Sequence, residues 1–297
     1  MKRWRRELIP AAALAAFMAA CRLIHGFARL WTSHIALPAL SRLHGATASL
    51  PFPLMEPAAV ILLAFTLRDL VGLRFRRALR RMLAAAAGFA LLWYPLCFDA
   101  PTPVPASDPA ALEQLCLQTM DELTGLPAFP SLEDTLRDAP RAAGMPDARV
   151  KAARWPEWMR AAGISGLFAP WTGEALVSPE LPAALLPFTA VHELMHLRGI
   201  ADEGGANLAA WERCMDRGGI FAASAQLWAL RCAVTRLGEA DPAAQARIMA
   251  ALPTSMRALM PAPTPPAPFL TRLRRFLGID GISTSYAALA DRLAARG

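Results

Sequence analysis

Histidine is scarce in this chain, and its distribution is uneven. There are 5 in 297 residues, and only His192 and His196 follow His44. A metal site assembled wholly in the C-terminal two thirds therefore has at most two imidazoles, and any third ligand there must be an acid or a cysteine. Cysteine offers little. Cys21, Cys97, Cys116, Cys214 and Cys232 form no CxxC pair, which excludes a ribbon-type zinc site. Cys116, Cys214 and Cys232 would share an oxidising space if that region is exported, so a disulfide and buried thiols both stay open.

Acids are nearly missing from the first third. Residues 1–98 hold 13 Lys/Arg against 3 Asp/Glu, a balance of +10, while 99–297 hold 18 against 21, or −3; together these make the formal +7. The basic excess is not a surface of a folded domain, which argues against a nucleic-acid partner. Long apolar runs are also missing. The three candidates, at 8–21, 57–73 and 82–98, are each at or below the roughly 17 residues needed to cross a bilayer. Their succession, their basic flanks and a mean hydropathy of +0.31 nevertheless favour spans over core helices.

The basic residues orient those spans. Lys2, Arg3, Arg5 and Arg6 precede the first, and Arg68, Arg74, Arg76, Arg77, Arg80 and Arg81 lie around the second-to-third connection. The positive-inside rule places both in the cytoplasm, so three crossings put everything after residue 98 outside. The start of the chain also resembles a secretory or lipoprotein signal ending at Cys21, which would leave the same placement outside. The expected organisation is a membrane domain at 1–98 with three transmembrane helices, and an extracytoplasmic domain at 99–297.

The second domain reads as mainly helical. Asp108 and Asp241 are natural helix caps, and Gly238 should end a long helix that begins near Phe221. Residues 150–180, with Gly163, Gly166 and Gly173 between short apolar runs, suit one or two strands or a hairpin, not a helix. The proline-rich 261–268 reads as a stiff linker. No internal repeat is present.

What is there is "PFTAVHELMHLRGIADEGGAN" at 187–207. Pro187 opens a helix and Gly199 closes it. On that helix His192 and His196 are i and i+4, so both rings can reach one metal ion. Glu193 is placed to take the proton from a zinc-activated water. Chance yields such a pattern in about three per thousand chains of this composition. Two acids compete as third ligand. Asp202 completes HExxHxxGxxD, where a glycine turn brings the residue three on to the metal. Glu203 instead suits a plan in which a second helix presents a glutamate. Glu212 and Asp216 lie further along that helix, and "TSM" at 254–256 is a weak Met-turn candidate. Glu174 reads as a cleft or loop acid, Tyr286 as an oxyanion donor or a half-buried tyrosine, and Arg198 as a partner of Asp202 or a helix cap.

Together with "LPALSRLHGATASLPFPLMEP", "GISGLFAPWTGEALVSP", the run of acids before Ala206–Asn207 and "GISTSYAALADRL", this region resembles an uncharacterised family. Its members are bacterial membrane-anchored zinc metallopeptidase-like proteins, a domain of unknown function with N-terminal transmembrane helices. The resemblance implies a zincin-like, mostly helical fold, His192 and His196 as zinc ligands and Glu193 as base. Relatives often carry glutamate directly before Ala-Asn, where this chain has Gly205, so Glu203 is the expected third ligand.

The expected function is membrane-anchored zinc metallopeptidase, acting on a peptide or protein on the extracytoplasmic side. The alternative is a degenerate pseudo-peptidase that binds zinc or peptide as a sensor or scaffold. An intramembrane protease is disfavoured, because residues 187–214 are too charged to lie within a bilayer.

Overall fold

The structure is a computed structural model that describes residues 2–24, 26–98, 105–123, 125–260 and 281–296, with the backbone alone for 2–8 and 281–286. It is mostly helical, with one three-stranded sheet. The first apolar segment lies in α1 (Lys2–Leu23). A short α2 (Phe27–Trp31) and a π-helical turn (Thr32–Ala36) lead into α3 (Leu37–Ala48). The second segment forms α4 (Met55–Val71). The third begins within α5 (Phe75–Leu92) and finishes in a 3-10 turn (Tyr94–Phe98). Among the described residues no single helix is long and apolar enough to cross a membrane. The pair Ile9–Leu23 and Phe27–Ala48 is so only when taken together, and it is bent by 114°.

After residue 98 the elements follow local chemistry. Asp108 accepts from the N–H of Ala110 and starts α6 (Pro109–Glu122); Ser131 caps α7 (Leu132–Ala142) through the N–H of Asp134. β1 (Val150–Ala152), α8 (Pro156–Ala162), β2 (Gly166–Ala169) and β3 (Glu174–Val177) come next. The sheet order is β1-β3-β2, with β1 parallel and β2 antiparallel to β3; Lys151 pairs with Leu176, and Leu167 with Leu176 from the other side. Strands were expected in 150–180, but the helix α8 was not. It fits because Pro156 occupies the first turn and Gly163, in the left-handed region at φ 64°, ends it.

The rest is helical: α9 (Leu186–Leu197), α10 (Glu203–Arg217), α11 (Gly219–Ala240), α12 (Pro242–Ala251), the single turn α13 (Thr254–Arg257) and α14 (Gly281–Ala294). Gly238 does not end α11, which runs on to Ala240. It serves close packing instead, because a Cβ there would come within 2.3 Å of the Gln245 side chain. Asp241 ends the helix and caps α12 through the N–H groups of Ala243 and Ala244. "TSM" at 254–256 is part of α13, and the 261–268 linker lies outside the described residues. All five cysteines are unpaired, and Cys116, Cys214 and Cys232 are buried thiols.

The core is built around α9, every residue of which is buried. It packs on β2 and β3, α7, α10 and α11. Phe188, Leu194 and Met195 fill its neighbours' grooves. Burying each such side chain contributes about 1.5–3 kcal/mol before the ordering cost.

The N-terminal third is docked onto this core. His44 of α3 donates from Nδ1 to the Gly173 carbonyl (2.8 Å) and accepts the Arg149 N–H at Nε2 (3.0 Å). Both ring nitrogens are thus engaged. Gly173, at φ 66°, lies so close that a Cβ would meet the His44 nitrogen at 2.6 Å. Lys151 donates to Glu174 (2.7 Å) and to the carbonyls of Thr47 and Phe52. Glu174 in turn accepts the N–H groups of Leu54 and Met55. At the head of α4, Glu56 accepts from the N–H groups of Arg154 and Trp155 and from the Trp158 indole.

Candidate metal centre

Position 192 to position 196 is one turn plus a tenth, so the two imidazoles leave α9 side by side, 4.7 Å apart between ring centres. The turn after α9 fixes the second ring. Gly199, at φ 101°, closes the helix, its N–H and that of Ile200 returning to the carbonyls of His196 and Met195. The same turn aims the Ile200 carbonyl at His196 Nδ1 (2.7 Å). With Nδ1 donating, His196 Nε2 carries the lone pair for a ligand.

The chain then enters α10 at Asp202. Its carboxylate accepts the Gly205 N–H (2.6 Å) and caps the helix, so it is occupied away from the histidines. Glu203, one residue on and about 100° round the helix, reaches them. Its carboxylate oxygens lie 3.3 Å from His192 Nε2 and 3.6 Å from His196 Nε2. His192, His196 and Glu203 together offer three ligand atoms within 4.8 Å of one another. Around a tetrahedral metal with ligand bonds near 2.0–2.1 Å, neighbouring ligand atoms stand about 3.4 Å apart. The two carboxylate–imidazole separations match that spacing, and two imidazoles with one carboxylate form a donor set that could hold a divalent metal.

The Glu203 carboxylate favours positive charge beside it. Burial opposes the charged form of His196, but the Glu203 carboxylate outweighs it and lifts its pKa to about 9. The same pairing holds Glu203 well below the usual carboxylate range although burial pulls the other way. Burial keeps His192 below its ordinary value. Glu193, beside the two histidines, is pushed up to about 8, chiefly by burial, with His196 opposing and Glu203 adding to the rise. Its Oε2 and the Nδ1 of His192 are buried with no hydrogen-bond partner among the described residues. An orphaned carboxylate oxygen next to a ligand cluster is the kind of group that a bound species satisfies.

The walls of the site come from elements distant in sequence. β2 runs directly over Glu193: a Cβ on Gly166 would come within 2.3 Å of Glu193 Oε1. Trp93, just past α5, lies edge-on to the His196 ring at 5.6 Å and stacks with Phe168 of β2 at 5.3 Å. Leu37 packs where a Gly199 Cβ would be. Sequence reasoning singled out neither Trp93 nor Gly166 for the site. A glycine inside a strand pattern does signal close backbone approach, so Gly166 had a readable cue; Trp93 had none.

Other candidates lie elsewhere. Glu174 is neither a cleft residue nor a solvated loop acid; it is buried in the ion pair with Lys151, because that pair fastens the 47–55 segment to the sheet. Arg198 donates to the Ala143 carbonyl (3.3 Å), with Asp202 already committed to its cap. Glu212 is exposed and paired with Arg296, and Asp216 is exposed on the same helix. The Tyr286 side chain lies outside the described residues.

No curated protein and no solved structure matches the chain. His192, Glu193, His196 and Glu203, the sheet and helices α7 to α13 fall within residues 128–262, which match the family model DUF3810, described as a protein of unknown function, whereas Trp93 and Leu37 lie outside the match.

Proposed function

We propose that the protein is a membrane-anchored zinc-dependent peptidase. The observation that supports the reading is the convergence of the His192, His196 and Glu203 ligand atoms within 4.8 Å of one another, with Glu193 Oε2 buried and unpartnered beside them among the described residues. Zinc, when bound, would supply the Lewis acidity that activates water and polarises a carbonyl. The chain's own groups do the rest. The two Nε2 atoms and the Glu203 carboxylate hold the ion, and Ile200 keeps His196 in the ligating tautomer. Glu193 takes a proton from the attacking water and passes it to the leaving amine. β2 is an outer strand of the sheet, paired on one side only among the described residues. The Ser178 N–H bonds the Ser165 carbonyl, so by alternation the backbone groups of Gly166 and Phe168 face outward. A substrate strand laid along that edge would pass Glu193.

The membrane anchoring rests on the basic flanks and apolar helices of the first third: α1, α4 and α5 as three spans, the N-terminus and the 72–74 connection cytoplasmic, and the metal centre outside.

The second reading, a non-catalytic metal- or peptide-binding protein, is favoured by the near-complete burial of both histidines and Glu193. One experiment separates the two. Full-length protein purified in detergent is assayed for zinc content and for hydrolysis of a mixed peptide pool, beside Glu193→Gln. One zinc per chain with hydrolysis that Glu193→Gln abolishes supports the peptidase. One zinc without hydrolysis supports the binding protein, and no zinc after reconstitution overturns both.

A further inference from the structure

The α4–α5 hairpin is short and firmly tied to the body of the protein at both ends. Glu56, in the first turn of α4, is held by Arg154, Trp155 and Trp158. From there to Val71 is about 22 Å of helix at 1.5 Å per residue. On the returning helix, Trp171 of the β2–β3 turn donates to the Ala85 carbonyl (3.0 Å), packs 3.3 Å from where a Gly88 Cβ would be, and lies 5.4 Å from Phe89. Only the part beyond these contacts projects. It presents Ile61, Leu63, Phe65 and Leu67 on α4, and Leu79 and Met82 on α5, all exposed. Its turn carries Arg74, Arg76 and Arg77. Near that end Asp69, fully buried, is paired with Arg81 at 2.8 Å, so the one acid there is neutralised within the hairpin.

A bilayer's apolar core is about 30 Å thick, more than this hairpin can cross while its far end reaches water. For the arginines at the turn to meet the opposite headgroups, the bilayer must thin around the hairpin and the body must be drawn down until its rim enters the near headgroup layer. That rim has the composition the layer favours: Trp155, Trp171, Phe52 and Leu54 are exposed beside the head of α4 and the flank of α5. The metal centre is close behind it. Trp93, in contact with His196, is eleven residues beyond Met82, about 16 Å along the helix. An extended chain covers that distance in about five residues.

We infer that the metal centre works at the bilayer surface, and that its substrates are membrane-anchored polypeptides cut within about five residues of their bilayer-embedded end. This rests on the peptidase reading and adds the substrate class. The covering of α4 and α5 is assigned to lipid, because the apolar faces end in a basic turn at one end and in tryptophans at the other, the order in which a bilayer presents its layers.

The test uses the full chain, zinc-loaded, in proteoliposomes, and has two readouts. In the first, lipids brominated high in the acyl chain quench tryptophan emission, and wild type is compared with Trp155→Phe and Trp171→Phe. The quenched fraction should fall in each variant; an unchanged fraction would place the rim clear of the bilayer and overturn the inference without reference to activity. In the second, a 25-residue peptide pool of mixed sequence is supplied on an acyl anchor, and also free in solution, with Glu193→Gln as blank. Mass spectrometry of the products should show cuts clustered next to the anchor, and free peptide cut at least tenfold more slowly. Cuts spread evenly along the chain, or equal rates on free peptide, overturn this inference and leave the peptidase standing. No Glu193-dependent cut in either form, with zinc bound, overturns the peptidase reading and this substrate class with it.

Discussion

Gly166 and Glu193 are in contact across 27 positions of sequence, the strand backbone lying where any side chain at 166 would strike the Glu193 carboxylate. The contact sets the Glu193 carboxylate against the edge of the sheet. Gly166→Ala should therefore displace Glu193 without disturbing the three ligands. Hydrolysis should fall by at least tenfold, towards the 10²–10⁴ typical of a lost general base, while zinc content stays at the wild-type value. A parallel loss of zinc would mean that β2 positions the ligands as well.

Glu203 and Asp202 are adjacent but have different duties. Glu203→Ala should abolish stoichiometric zinc binding. Asp202→Ala should retain it and instead lose about 1 kcal/mol of stability, the cost of a vacant cap on α10. Zinc analysis and thermal unfolding of the two variants check this, and the converse pattern would make Asp202 the ligand.

Lys151 and Glu174 form a buried ion pair in which every Lys151 donor is used. Removing one partner leaves an uncompensated charge, so Lys151→Met should cost about 3–5 kcal/mol. Lys151→Met with Glu174→Gln should cost less than Lys151→Met alone. Denaturant unfolding of both variants measures the difference.

Acid should loosen the same region. Burial would raise the Glu174 carboxyl, but the hydrogen bonds from Lys151, Leu54 and Met55 outweigh it and hold its pKa below the ordinary value. A group depressed in the folded state stabilises fully above its unfolded pKa, about 4.3 for glutamate, and that contribution is lost as pH falls through the lower folded value. Wild type should lose thermal stability below about pH 4.3 more steeply than Glu174→Gln, as followed by circular dichroism. Equal slopes would refute the assignment.

The most local features were legible in the sequence. The i, i+4 histidines, Pro187 and Gly199 at the helix ends, and Asp108 and Asp241 as caps each depend on a few neighbouring residues, and the structure has them in those roles. Gly238 differs for the opposite reason: its pattern is that of a local stop, but a side chain seven residues on, in the next helix, packs against it. Glu174 has the same kind of non-local role, because its partners lie at 54, 55 and 151.

What the sequence determined by itself is the placing of His192, Glu193 and His196 on one helix, the largely helical content and the segregation of positive charge into the first third, since all three follow from spacing and composition. Only the tertiary structure decided which acid meets the histidines, because a single residue's rotation about α10 separates the helix cap from the carboxylate that faces both imidazoles. Only it brought Gly166 over the base and Trp93 against His196. Those contacts join segments tens of residues apart, and close packing, which no local pattern encodes, is what selects them.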